Sequence, residues 1–234
     1  MNKLYNAPER LLLSGLFFFF LHISTCNAQK AEYWKLDNFK KIGGHNVTVL
    51  GNPEVVDTEP GKAVKFDGDG DMLLVDFNPL GNTTEFTVEV VLKPDAAYPE
   101  NTAPRFLHFQ DPDDQQAKRL MVELRLNAEN QCYLDAFLKT DTGSLVLIDP
   151  KLVHPTEQWL HVAITYKNNI LTTYINGKKQ LSGQIGYKDV FINPTGKVAI
   201  GGRMNKVDWF RGLIKTLRIE KVALEPKDFL HIND

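Results

Sequence analysis

The chain has 234 residues, 43% of them hydrophobic, with 27 basic and 29 acidic residues for a formal net charge of −2. A near-neutral sequence without a basic block has no means of following a phosphate backbone, which excludes nucleic acid as an expected partner. Two cysteines make no disulfide framework, so the fold must rest on burial, and about 200 residues suffice for one such core.

The first element in chain order is a processing signal. Lys3 and Arg10 lead into the apolar run "LLLSGLFFFFLHI" at 11–23, followed by "STCNA" before Gln29. Its 13 residues are too few to span a bilayer comfortably, and Cys26 and Ala28 are the small residues that a signal peptidase needs at its −3 and −1 positions. This predicts a signal peptide at 1–28 and a single domain at 29–234, secreted, periplasmic or at the cell surface, with no transmembrane span once processed. The alternative is a lipoprotein signal with lipid on Cys26, against which Thr25 stands where such signals prefer Gly, Ala or Ser. Removing Lys3, Glu9 and Arg10 with the signal leaves 25 basic and 28 acidic residues, and Cys132 as the remaining cysteine.

Beyond the signal, turn residues recur every 8 to 15 positions, at Gly43-Gly44, Pro60-Gly61, Asn78-Pro79, Asp111-Pro112, Asp141-Thr142-Gly143, Asn168-Asn169, Asn176-Gly177, Asn193-Pro194 and Gly201-Gly202. Between them lie short runs rich in Val, Ile, Phe, Tyr and Thr. The stretch "FDGDGD" at 66–71 has the acidic spacing of a calcium loop, but an EF-hand needs Gly and Glu where this chain has Met72 and Asn78. The period is two in the best segments: "LMVELRL" puts Leu120, Val122, Leu124 and Leu126 on one face, and "CYLDAFLK" does the same with Cys132, Leu134, Ala136 and Leu138. "YKNNILTTYINGKK" reads as a hairpin with tight turns at Asn168-Asn169 and Asn176-Gly177. Only "EPKDFLH" at 225–231 has helical character, for about two turns. Many short antiparallel strands with regular turns predict an all-β sandwich or barrel with one short C-terminal helix.

"GKAVKFDGDGDMLLV", "EFTVEVVLKP", "QWLHVAITYKNNILTTYINGKKQ" and "KVAIGGRMNKVDWFRGLIKTLRIEKVALEPKDF" together resemble, in that order from about residue 60 to 230, the laminin-G-like, concanavalin A-like jelly roll. The resemblance implies an antiparallel two-sheet jelly-roll sandwich. It leaves function open, because lectins, adhesion modules, glycoside hydrolases and polysaccharide lyases all use this fold. It makes "FDG" an inter-strand turn in which Gly68 and Gly70 supply the geometry. Some relatives hold calcium and carry a Gly-Ile-Asp pattern near the end. Here the segment reads Gly212-Leu213-Ile214-Lys215, a cation where the acid would stand. No cofactor or metal is therefore expected, and calcium would have only Asp67, Asp69 and Asp71 to bind it. Trp159 is expected as a core anchor at a strand entry, and Cys132 as an inert buried thiol. The Glu-x-Asp-x-x-Glu run of laminarinases does not occur.

Alternation also exposes a polar face: His108 and Gln110, Glu123 and Arg125, Tyr133 and Asp135, with Tyr174 from the hairpin and Arg203, Asn205 and Trp209 from the closing segment. Solvated sheet faces are dominated by Lys, Glu, Thr and Ser, whereas this set mixes planar hydrogen-bonding groups with aromatic rings, as sugar recognition requires. The expectation is a secreted module that binds a polysaccharide on its concave sheet. The alternatives are a polysaccharide lyase, with His108 or Tyr174 taking a proton beside a uronate that Gln110 and Arg125 neutralise; a structural salt-bridge lattice; and a module that binds another secreted protein.

Overall fold

The computed structural model describes residues 31–111, 113, 118–187 and 195–234; the signal run, its cleavage position, Cys26 and the Asn193-Pro194 turn lie outside the described residues. In chain order the strands are β1 (Glu32–Lys35), β2 (Lys41–Ile42), β3 (His45–Leu50), β4 (Glu54–Thr58), β5 (Gly61–Asp67), β6 (Met72–Val75), β7 (Phe86–Pro94), β8 (Arg105–Gln110) and β9 (Arg119–Leu126). They continue with β10 (Gln131–Lys139), β11 (Ser144–Ile148), β12 (His154–Pro155), β13 (Leu160–Lys167), β14 (Ile170–Ile175), β15 (Lys178–Gln184), β16 (Lys197–Ile200) and β17 (Arg211–Glu220).

These strands form two antiparallel sheets, a jelly-roll sandwich. The first runs β15-β14-β13-β7-β17-β5-β4 with β1 beside β17, and the second runs β11-β10-β9-β8-β16-β6-β3-β2 with β12 beside β10. The late strands β16 and β17 each insert between earlier ones, so the two halves of the chain are interleaved in both sheets.

The period-two runs explain the layering. Leu120, Val122, Leu124 and Leu126 of β9 and Cys132, Leu134, Ala136 and Leu138 of β10 are all buried, and they join Val88, Val90, Val162 and Ile164 of the first sheet in one core. Phe210 meets Phe66 and Phe106 edge-on, each at 6.2 Å. Each such ring contributes about 1.5–3 kcal/mol by leaving water.

The asparagine turns form as read: Asn168 and Asn169 have φ of 52° and 64°, and Asn176 and Gly177 have 51° and 73°, the left-handed pair that a two-residue hairpin demands. The acidic turn is also structural. Asp71 is buried, one carboxylate oxygen accepting the Asn52 N–H at 2.7 Å and the other the Asp67 N–H at 3.0 Å. Gly68 and Gly70 hold φ of 84° and 102° between them.

Two local expectations need correction. The C-terminal segment makes a single 3-10 turn, Pro226–Asp228, after which Phe229 is extended. The turn closes with the Asp228 N–H on the Glu225 carbonyl at 2.9 Å, and side chains then take the backbone over: Arg218 donates to the Asp228 carbonyl at 2.6 Å and Glu89 accepts the Leu230 N–H at 2.7 Å. Trp159 is only half-buried, and the core tryptophan is Trp34. Cys132 is buried among leucines, and burial pushes its thiol up to about 12, so it is inert at neutral pH.

Candidate functional site

The register fixes which side chains share the outer face of the second sheet. Across β9 and β10 the opposed pairs are Arg125 and Tyr133, Glu123 and Asp135, Met121 and Phe137, and Arg119 and Lys139. On the other side, β8 sets Gln110 against Arg119, His108 against Met121 and Arg105 against Glu123. His108, Gln110, Glu123, Arg125, Tyr133 and Asp135 thus fall on one surface. Arg203, Asn205 and Trp209 lie on the loop between β16 and β17, which Arg105 ties to this surface: its backbone N–H bonds the Asp208 carbonyl at 3.1 Å, and it bridges Trp209 in parallel. Gly202 lets that loop close, because a Cβ there would sit 2.7 Å from the Trp209 ring.

Tyr174 does not join them. It lies on β14 in the first sheet, opposite Ala163 and Lys179, with its ring edge-on to Phe229 at 5.1 Å. The two candidate proton acceptors of the lyase reading, Tyr174 and His108, therefore lie on different sheets, and only His108 shares the face of Gln110 and Arg125.

The centre of the face is an ion-pair chain. Glu123, almost wholly buried, contacts Arg105 with one oxygen and Arg125 with the other. Arg105 also donates to Asp208 at 2.6 Å, and Arg125 presents Nε and Nη2 to one oxygen of Asp135 at 2.9 and 2.8 Å. Burial, with Asp135 alongside, raises Glu123 from 4.5 to about 7 even though both arginines pull it down. Around these groups Met121, Phe137 and Val146 complete a recess of about 190 Å³. Arg119 lies over the Phe137 ring, 5.0 Å from its centroid.

His108 is 1% exposed. Its Nδ1 accepts the Met204 N–H at 3.2 Å, which puts the ring proton on Nε2. That Nε2 is buried without a hydrogen-bond partner. Burial first, then Arg105, Arg203 and Arg119, lower His108 from 6.5 to about 3.

Two larger clefts lie beside charged groups that hold the C-terminal backbone. One of about 290 Å³ is bordered by His161, Phe229 and His231. Beside it the fully buried Glu89 accepts from His161 at 2.9 Å, from Arg218 at 2.5 Å and from the Leu230 backbone, which fastens the C-terminal segment to the sheet. The other, about 300 Å³, contains Lys215, whose ammonium donates to the Ile232 and Asp234 carbonyls at 3.1 and 2.7 Å. In this chain the lysine at the Gly-Ile-Asp position holds backbone.

Sequence reading missed Arg105, Arg119, Met121, Phe137 and Val146. It also missed Glu89, His161 and Arg218. Among the described residues no group of three or more His, Cys, Asp or Glu side chains is placed to hold a metal ion, and no helix is long and apolar enough to cross a membrane.

The family model described as the concanavalin A-like lectin/glucanases superfamily matches residues 66–228, more than half of the chain. No curated protein matches the sequence. Among solved structures, domain 4 of AbnA, a GH43 extracellular arabinanase from Geobacillus stearothermophilus in complex with arabinotriose, aligns with a TM-score of 0.61 at 21% identity. That alignment covers 84% of this chain and 94% of the arabinanase domain. The botulinum neurotoxin serotype D binding domain aligns with a TM-score of 0.60 at 18% identity, and that of Paraclostridial Mosquitocidal Protein 1 with 0.60 at 15%. Both alignments cover 86% of this chain, which spans about half of each toxin domain, 50% and 51% respectively. At these identities the likeness is one of fold.

Proposed function

The chain belongs to the concanavalin A-like lectin/glucanases superfamily, and we propose that within it this protein is a glycan-binding module that uses the outer face of its second sheet. The observation that carries this reading is the recess itself: the Arg105, Glu123, Arg125 and Asp135 polar groups are held in fixed orientation next to the Phe137 ring. Sugars present flat arrays of hydroxyls above an apolar ring face, and pre-set planar donors and acceptors beside an aromatic ring match both without loss of side-chain freedom. The arabinanase domain seen with arabinotriose supports a sugar as ligand, as does the signal-like N-terminus, which favours an extracellular polysaccharide.

Catalysis is the weaker reading. Its tyrosine lies on the other sheet, and the Glu123 carboxylate is taken up by two arginines. A polysaccharide panel, followed for binding, for ultraviolet absorbance from new double bonds and for new reducing ends, tests both readings. Binding without either product is the expected result. Phe137→Ala should weaken the bound polysaccharide about tenfold. Unchanged affinity in that variant would move the binding surface elsewhere, and turnover would make the protein an enzyme.

A further inference from the structure

The second sheet ends at β11, and no described strand pairs with its free side. The Thr140 N–H bonds the Gly143 carbonyl at 2.8 Å, so the β10–β11 hairpin closes on a hydrogen-bonded pair. Alternation from that pair makes Leu138 with Leu145 and Ala136 with Leu147 the bonded pairs of the ladder. The N–H and C=O groups of Ser144, Val146 and Ile148 therefore point away from β10. Those same three residues carry the exposed side chains of the strand, with Val146 51% and Ile148 40% exposed.

Edge strands are ordinarily guarded by charge, proline, a bulge or shortness, because their unpaired backbone is a template for another strand. The other described edges follow that rule. β15 carries Lys178 and Lys179, β4 carries Glu54 and Asp57, β1 begins and ends on a charge, and β2 and β12 have two residues each, the latter with Pro155. β11 reads Ser-Leu-Val-Leu-Ile, without a charge or a proline, and its ladder with β10 runs without a register shift. Its pattern fits a second copy of itself. Antiparallel pairing centred on Val146 sets Val146 against Val146 and Ser144 against Ile148, so all three outward-pointing residues find their backbone bonds at once. The same register is complementary in charge: the row of Lys139 and Ser144 continues into the second copy's Ile148 and Asp135, so each row has a lysine at one end and an aspartate at the other.

We propose that β11 is a dimerisation edge, at which two copies of this chain join antiparallel and make their second sheets continuous across a two-fold axis at Val146. Val146 lines the recess and stands opposite Phe137 in the ladder. Pairing therefore joins Phe137, Val146 and their counterparts in one apolar strip, with the two Phe137 positions about 14 Å apart at three strand spacings. The two-fold axis is perpendicular to the sheet, so both recesses face the same way. On the glycan-binding reading, one polysaccharide chain is then held at two points, which raises its apparent affinity without any new contact. That consequence rests on the glycan reading, and the dimer does not.

The test is assembly in the absence of sugar, followed by sedimentation velocity across a dilution series. Wild type should sediment as a dimer that dissociates on dilution. Val146→Lys and Val146→Glu each set like charges against one another on the two-fold axis, and each alone should sediment as a monomer. Mixed in equal amounts they should recover the dimer, since lysine then faces glutamate, and that recovery also shows that both variants are folded. Ile170→Lys, which places the same charge on an exposed apolar residue of the first sheet, should leave the dimer intact. A wild type that stays monomeric throughout the series overturns the pairing. So does a dimer that survives in either Val146 variant, a mixture of the two that stays monomeric, or a dimer lost in Ile170→Lys. Because no sugar is present, each of those results leaves glycan binding standing, and the polysaccharide panel decides that reading separately.

Discussion

Protonation of one buried histidine should work against this fold in acid. His108 has its folded pKa lowered from 6.5 to about 3, first by burial and then by Arg105, Arg203 and Arg119. Between those two values the unfolded chain binds a proton that the folded chain refuses, so stability is full above pH 6.5 and falls as pH drops through the window. Each pH unit below the unfolded pKa costs about 1.4 kcal/mol, so at about pH 4.5 the loss from this group is roughly 3 kcal/mol. Glu123 works in the opposite sense. Its folded pKa is raised from 4.5 to about 7, so the folded chain takes up that proton first, and lowering the pH across this interval stabilises.

The two contributions are of similar size and cancel in the wild-type curve, so a variant is needed to separate them. His108→Asn leaves an oxygen for the Met204 N–H and removes the titration, while the Glu123 contribution remains common to both proteins. Urea unfolding of each protein at neutral pH and at about pH 4.5 gives the difference of differences. Wild type should lose about 3 kcal/mol more than the variant, a sizeable part of the 5–15 kcal/mol typical of a domain. Equal losses in the two proteins would mean that the folded imidazole takes up its proton as readily as the unfolded one, and would refute the burial and charge argument.

The remaining expectations concern groups the structure has tied down. Glu89→Ala strands Arg218, His161 and the Leu230 N–H together and should cost about 3–5 kcal/mol by urea unfolding, with a loss below about 1 kcal/mol showing that the C-terminal segment is not held by this carboxylate. Arg125→Ala should cost about 1–3 kcal/mol, less than a fully buried partner because its side chain is 36% exposed, and Arg125→Ala with Asp135→Ala should be less than additive in the same assay. Asp71→Ala should lower the thermal midpoint by removing two backbone partners, whereas a chelator should leave the wild-type midpoint unchanged; a large drop on chelation, reversed by calcium, would show that "FDGDGD" binds the ion.

The sandwich was legible because it depends on rules that act locally. Alternation in "LMVELRL" and "CYLDAFLK" decides which side meets the core, and paired asparagines decide where the chain reverses, so the faces of β9 and β10 followed directly. Helical character in "EPKDFLH" misled because the competing partners lie about 140 residues away in sequence, on Glu89. No local propensity records an acceptor waiting on another strand. The same distance hid Glu89, His161 and Arg218, which read as scattered charges until three strands set them side by side. Tyr174 was placed on the correct kind of strand and on the wrong sheet, since alternation fixes a side and says nothing about which layer owns it.

Arg105 shows most clearly why the site was only half visible. In "RFLHFQ", strict alternation puts Phe106 outward with His108 and Gln110, and turns Arg105 toward the core. The register between β8 and β9 shifts between Arg105 and Leu107 instead, so one extra residue is absorbed and everything before it changes face. Phe106 then enters the core against Phe210, and Arg105 emerges over Glu123 with its backbone fastened to the 208–209 loop. A ring gained by the core and a buried guanidinium paired with the Glu123 and Asp208 carboxylates both favour the shifted register over the regular one. The same irregularity sets the ion-pair chain of the recess beside the 208–209 loop. The recess is thus a consequence of one extra residue in the ladder, which brings Arg105 onto the face where Glu123 and Arg125 already stand.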